Sequence, residues 1–118
     1  MLIRNGKYQD EFYTGERVWV TELLNDPAAP AVSLARCRVS PGVTTQRHRL
    51  SVAEWYVIES GSGAMEVGAE AAFPVGAGDV VAIPQGVSQR ITNTGETDLV
   101  LQCVCLPRFT PECYEALD

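Results

Sequence analysis

Apolar and polar residues alternate along most of the chain with the period of a β-strand, in short runs cut by Gly, Pro, Asn and Asp. Arg17–Leu24 (RVWVTELL) alternates and ends at the breaker-rich Asn25-Asp26-Pro27-Ala28-Ala29-Pro30. Val32–Val39 alternates again, with Leu34, Arg36 and Arg38 on one face and Ala35, Cys37 and Val39 on the other. Further strands are expected at Glu54–Ser60, Ala64–Val67, Ala72–Phe73, Val80–Ile83, Val87–Thr92 and Asp98–Leu106, with turns at Gly61-Ser62-Gly63, Gly76-Ala77-Gly78-Asp79, Pro84-Gln85-Gly86 and Asn93–Glu96. Residues 1–16 are polar and irregular, an arm or short edge segment, and the tail has room for one helical turn at Pro111–Ala116. About eight short strands with no long amphipathic helix predict an all-β sandwich or barrel. No linker interrupts residues 1–118, which read as one domain.

Composition narrows the partners. Fifteen acidic against nine basic residues give a net charge of −6, and the basic residues are scattered, so no nucleic-acid surface is expected. No apolar run reaches the eighteen or so residues of a membrane helix, and the N-terminal residues lack the apolar core of a secretory signal. A cytoplasmic location follows as the expectation, with the four cysteines reduced. Cys103-Val104-Cys105 lacks the spacing of a zinc site, so these thiols read as small buried hydrophobes.

The only histidine, His48, sits in Pro41–Gly61, and strand parity puts Gln46, His48 and Leu50 on one face. Glu54, Tyr56 and Ile58 share a face on the next strand, as do Gln89, Ile91 and Asn93 further on, while Arg47, Arg49, Trp55 and Arg90 point the other way. Gly42, His48, Glu54 and Gly61 fall at the spacing G-x5-H-x-H-x3-E-x6-G, with Leu50 where the second histidine belongs. Gly78, Pro84, Gly86 and Asn93 fall at G-x5-P-x-G-x2-H-x3-N, with Gln89 in the histidine position.

Two such motifs, at 42–61 and 78–93, resemble those of small single-domain cupins. The resemblance implies a double-stranded β-helix, or jelly-roll barrel, around a ligand pocket lined by His48, Leu50, Glu54, Tyr56, Gln89 and Ile91. Cupins usually hold a metal on three histidines and a glutamate; matched residue by residue, only His48, Glu54 and, through its carbonyl, Gln89 remain as metal ligands. That reduced set implies either one weakly held divalent transition metal (Zn, Ni, Mn or Fe) or none. A second register, with Gln46 and His48 in the two histidine positions, would need an insertion before Glu54.

Three functions stay open on this reading. One is a small-molecule-binding cupin with a reduced metal site. Another is a metal-free isomerase or epimerase in which His48 and Glu54 are the catalytic acid–base pair. The third is a binding or regulatory module without turnover. A buried Glu54 needs a partner in each case, and His48 is expected to bond Glu54 or Gln89. A homodimer formed through the N-terminal segment is the expected assembly.

Overall fold

The computed structural model describes Leu2, Ile3 and residues 10–118. Much of the polar arm expected at 1–16, namely Met1 and residues 4–9, lies outside the described residues. The described strands are, in chain order, β1 (Phe12–Tyr13), β2 (Trp19–Leu24), β3 (Ser33–Val39), β4 (His48–Leu50), β5 (Ala53–Ser60), β6 (Ser62–Val67), β7 (Phe73–Gly76), β8 (Val80–Ile83), β9 (Gln89–Asn93), β10 (Leu99–Leu106) and β11 (Tyr114–Ala116). They form two antiparallel sheets, β1-β2-β3-β10-β5-β8 and β11-β4-β9-β6-β7. This is the all-β, double-stranded β-helix architecture that the resemblance implied.

The two sheets face one another because their inward positions are apolar. Val39, Tyr56, Ile58, Leu99 and Leu101 from the first sheet meet Met65, Val67, Val75 and Ile91 from the second in the main core. A smaller cluster of Leu50, Val52, Cys105 and Cys113 closes one end, with Phe109 and Tyr114 packed against it. Each buried aliphatic side chain of this kind contributes about 1.5–3 kcal/mol of transfer free energy. Gly61 turns β5 into β6 at φ = +88°, and a Cβ there would lie 2.7 Å from the Asp98 carbonyl oxygen, so only glycine fits. No helix among the described residues is long and apolar enough to cross a membrane.

The strand expected at Ala72–Phe73 runs instead over Phe73–Gly76, and the tail differs more. The helical turn at 111–116 shrinks to a single 3-10 turn at Pro111–Cys113, and Tyr114–Ala116 becomes a strand that pairs with β4, Tyr114 opposite Leu50 and Ala116 opposite His48. The physical reason is tertiary: β4 would otherwise be a sheet edge with open backbone groups. The tail pairs with it and carries Tyr114 onto the His48 ring, centroids 4.8 Å apart at 23°. The helical propensity of a few residues is too weak to compete.

Candidate functional site

The site lies between the two sheets, where parity directs alternate side chains of β4, β5 and β9 inward. His48 and Leu50 come from β4, Glu54 and Tyr56 from β5, Gln89 and Ile91 from β9, and all six are buried. His48 stands directly opposite Gln89 in the β4–β9 pair. Glu54 stands opposite Cys105 in the β5–β10 pair.

Gln89 bridges the sheets. Its amide N–H donates to Glu54 Oε1 at 2.8 Å, and its carbonyl accepts from the Tyr56 hydroxyl at 2.6 Å. The Cys105 thiol donates to the other oxygen, Glu54 Oε2, at 3.5 Å. Burial pushes the Glu54 pKa from 4.5 up to about 7, against the downward pull of the Gln89 and Cys105 hydrogen bonds. Burial likewise drives the Tyr56 hydroxyl well above its ordinary range, so it stays protonated as a donor.

His48 is held separately, and here the sequence expectation needs correcting. Its ring nitrogen Nδ1 lies 2.8 Å from the Gln46 carbonyl, and no hydrogen bond among the described residues joins it to Glu54 or Gln89. A carbonyl only accepts, so the Nδ1–H of His48 is the donor. The His48 ring stacks on Tyr114. Near it is Glu16, whose pKa burial raises and the His48 charge pulls back down.

Glu16 comes from the turn between β1 and β2, which Thr14 N–H to Val18 O and Arg17 N–H to Thr14 O close at 2.9 and 3.1 Å. The turn is tied down at Gln46 N–H to Glu16 O, 3.0 Å, and Arg17 Nε–H to Thr44 O, 2.8 Å. Arg17 takes φ = +68° there, a strained conformation for a residue with a side chain. Sequence reasoning missed Glu16, Cys105 and Tyr114. Of these, only Cys105 left a trace, since it alternates with Cys103 and Leu101 on one strand face.

These groups surround a cavity of about 140 Å³. His48, Leu50, Glu54, Tyr56 and Ile91 line it, together with Glu16, Phe109 and Tyr114. Gln89 does not line it: the side chain lies behind Glu54 and Tyr56 as their bridge. Ile58 is packed into the core rather than the cavity wall. Cys37 and Cys103 line it too, sulfur atoms 3.3 Å apart, and all four cysteines are free thiols.

Against known families, residues 35–105 match the family described as "Cupin domain". The chain belongs to the cupin family. A protein described as a predicted oxalate decarboxylase from Thermotoga maritima is 32% identical, covers 76% of this cupin and 80% of its own chain, and superposes with a TM-score of 0.70. Streptomyces PAC13, determined with uridine, is 17% identical over 99% and 92% of the two chains, TM-score 0.79. A conserved protein with a double-stranded β-helix domain from Klebsiella pneumoniae is 14% identical over 89% and 88%, TM-score 0.76. The last two likenesses speak to the fold. No curated protein matches the chain.

Family membership raises the question of a metal, and the donor chemistry here does not fit one. Among the described residues no three His, Cys, Asp or Glu side chains converge as ligands. Leu50 offers no donor atom, and the Gln89 carbonyl is committed to the Tyr56 hydroxyl. Both Glu54 oxygens already accept hydrogen bonds. One imidazole nitrogen is the only strong neutral donor left, too few for Zn, Ni, Mn or Fe.

Proposed function

We propose that this cupin binds a small organic molecule without a transition metal, in the cavity between His48, Glu54 and Tyr56. The observation that carries the reading is the Tyr56–Gln89–Glu54 hydrogen-bond chain, which occupies the place of a metal site and satisfies the buried carboxyl group by itself. No buried side-chain polar atom among the described residues lacks a partner, so the network needs no cation to complete it. The same wall suits proton transfer: Glu54, with a pKa near 7, both gains and loses a proton near neutrality, and His48 lines the same cavity. The catalytic candidates His48 and Glu54 therefore act from separate sides of the cavity rather than as a directly bonded pair.

The oxalate chemistry named for the Thermotoga maritima protein belongs to that protein; the donor set here supplies no metal on which to transfer it. The test is a fragment set of neutral, cationic and anionic compounds of up to about ten non-hydrogen atoms, a size matched to the cavity. Binding is read from the ring resonances of His48, the only imidazole in the chain. Fragments that shift those resonances in metal-free protein support the reading. A site that responds only after stoichiometric metal loading refutes it.

The homodimer belongs to the same proposal. Among the described residues β1 is the outer strand of its sheet and carries exposed Phe12 and Tyr13, an apolar edge that a second copy would cover. Light scattering at high micromolar concentration is expected to give a dimer mass, and a monomer mass rules it out.

A further inference from the structure

The cavity wall carries chemistry that the Tyr56–Gln89–Glu54 chain leaves unused. Cys37 on β3 and Cys103 on β10 both line it, and both are free thiols. The two strands are antiparallel neighbours, with Cys37 opposite Leu101 and Cys103 opposite Ala35. The cysteines therefore stand diagonally across one ladder, on the face turned to the core. Their sulfur atoms are 3.3 Å apart, the one thiol–thiol hydrogen bond among the described residues. The other two thiols are placed differently. Cys105 donates to Glu54 Oε2 at 3.5 Å, and Cys113 packs in the small cluster at one end of the barrel.

Thiols in contact across two strands are a step short of a disulfide. A bond of about 2.05 Å requires the sulfurs to approach by roughly 1.2 Å more, shared between two side chains. The hydrogen bond to Cys37, and burial after it, hold the Cys103 thiol well above its ordinary range, so Cys103 keeps its proton and donates while Cys37 accepts. Access is through the cavity. Phe12, 46% exposed, shares the lining with buried Tyr56, so the space runs from the β1 edge to the core. Its volume, about 140 Å³, is near that of an engineered cavity of roughly 150 Å³ that holds benzene. Hydrogen peroxide fits such a space; oxidised glutathione does not.

We propose that Cys37 and Cys103 are a dithiol in the cavity wall that hydrogen peroxide oxidises to a reversible disulfide between β3 and β10. Cys37 gives its proton to solvent and attacks as the thiolate. The O–O bond breaks, Cys37 becomes a sulfenic acid, and the departing hydroxide takes up a proton as water. The Cys103 sulfur then attacks the Cys37 sulfur, the S–O bond breaks, and the hydroxyl leaves as a second water with the Cys103 proton. Two thiols give up two electrons, and one peroxide becomes two waters. The chemistry uses the cavity as a passage and needs no ligand in it, so it stands whether or not a fragment binds.

The whole reduced protein is treated with hydrogen peroxide near neutral pH, alkylated in denaturant, and read by intact mass and by fragmentation of its proteolytic peptides. Two of the four thiols should disappear, leaving a single chain lighter by two hydrogens, cross-linked from Cys37 to Cys103 and restored by dithiothreitol. Cys37→Ala and Cys103→Ala should each abolish the cross-link, and Cys113→Ala should keep it. Where a variant folds poorly, the wild-type fragment spectra decide which sulfurs are joined. Oxidised glutathione at the same concentration should act roughly tenfold slower or not at all.

Four free thiols after peroxide overturn the proposal, as does a bond that involves Cys105 or Cys113 or that joins two chains. Oxidation of Cys37 onward to the sulfinic acid, with Cys103 still free, overturns the resolving role of Cys103. Equal rates with peroxide and oxidised glutathione overturn the cavity as the route.

Discussion

Replacing Glu54 by glutamine should flatten the pH dependence of stability, and the size of the change follows from burial. The native pKa stands near 7 against an ordinary 4.5. At about 1.36 kcal/mol per pH unit that difference corresponds to about 3 kcal/mol. The sign is fixed by which state holds the proton. Between these two values the native protein keeps a proton that the unfolded chain releases, so raising the pH favours unfolding. The contribution is intact below about pH 4.5, is lost across the window, and is gone by about pH 7.

Glutamine at position 54 preserves the shape and the acceptor for Gln89, while its amide N–H faces the Cys105 sulfur, a weak acceptor. Urea unfolding of wild type and Glu54→Gln at several pH values isolates the group, because Glu16, also raised by burial, is present in both proteins. The stability difference should move by roughly 2–3 kcal/mol in favour of the variant between about pH 5 and pH 8. A difference that stays constant across that range would show that Glu54 is ionised at little cost, and the account of a buried, amide-satisfied carboxyl group would fail.

Tyr56→Phe removes the donor to Gln89 and leaves a fully buried carbonyl oxygen unpaired, so a loss of about 1–3 kcal/mol is expected in urea unfolding; an unchanged midpoint would mean the bridge carries no weight. The double variant Leu50→His, Gln89→His restores three imidazoles beside Glu54 and should retain a near-stoichiometric divalent metal after desalting, by elemental analysis. Wild type is expected to retain almost none, and a full equivalent there would contradict the donor argument. Gly61→Ala should cost roughly 1–3 kcal/mol or abolish folding, since the Cβ both forces a positive φ on alanine and meets the Asp98 carbonyl; a variant of wild-type stability would place that turn wrongly.

The sheets were legible because alternation and glycine turns carry their own period. The faces of Glu54, Tyr56, Gln89 and Ile91 follow from parity alone, and motif spacing brought Glu54 and Gln89 together before any coordinates. The three-residue β11 was not legible: it holds too little alternation to register, and it exists only because β4 offers it an edge. The partner of His48 could not be read either. It is a backbone carbonyl two residues away, and the ring above it arrives from position 114. Glu16 escaped for the same reason, since its place in the cavity depends on a turn tied to Thr44 and Gln46 across the fold.

Leu50 and Gln89, the two departures from the complete cupin motif, work together physically. Leucine at position 50 joins Val52, Cys105 and Cys113 in the small core cluster, removing a polar group from the wall and drying the surroundings of Glu54. Drying alone would leave a carboxylate at high cost. Glutamine at position 89 reduces that cost by donating to Glu54 with its amide N–H while accepting from the Tyr56 hydroxyl with its carbonyl. A metal would have held Glu54 ionised across the neutral range; the amide and the apolar wall instead leave it poised near pH 7. The exchange of two ligands thus turns a fixed charge into a titratable one at the cavity wall.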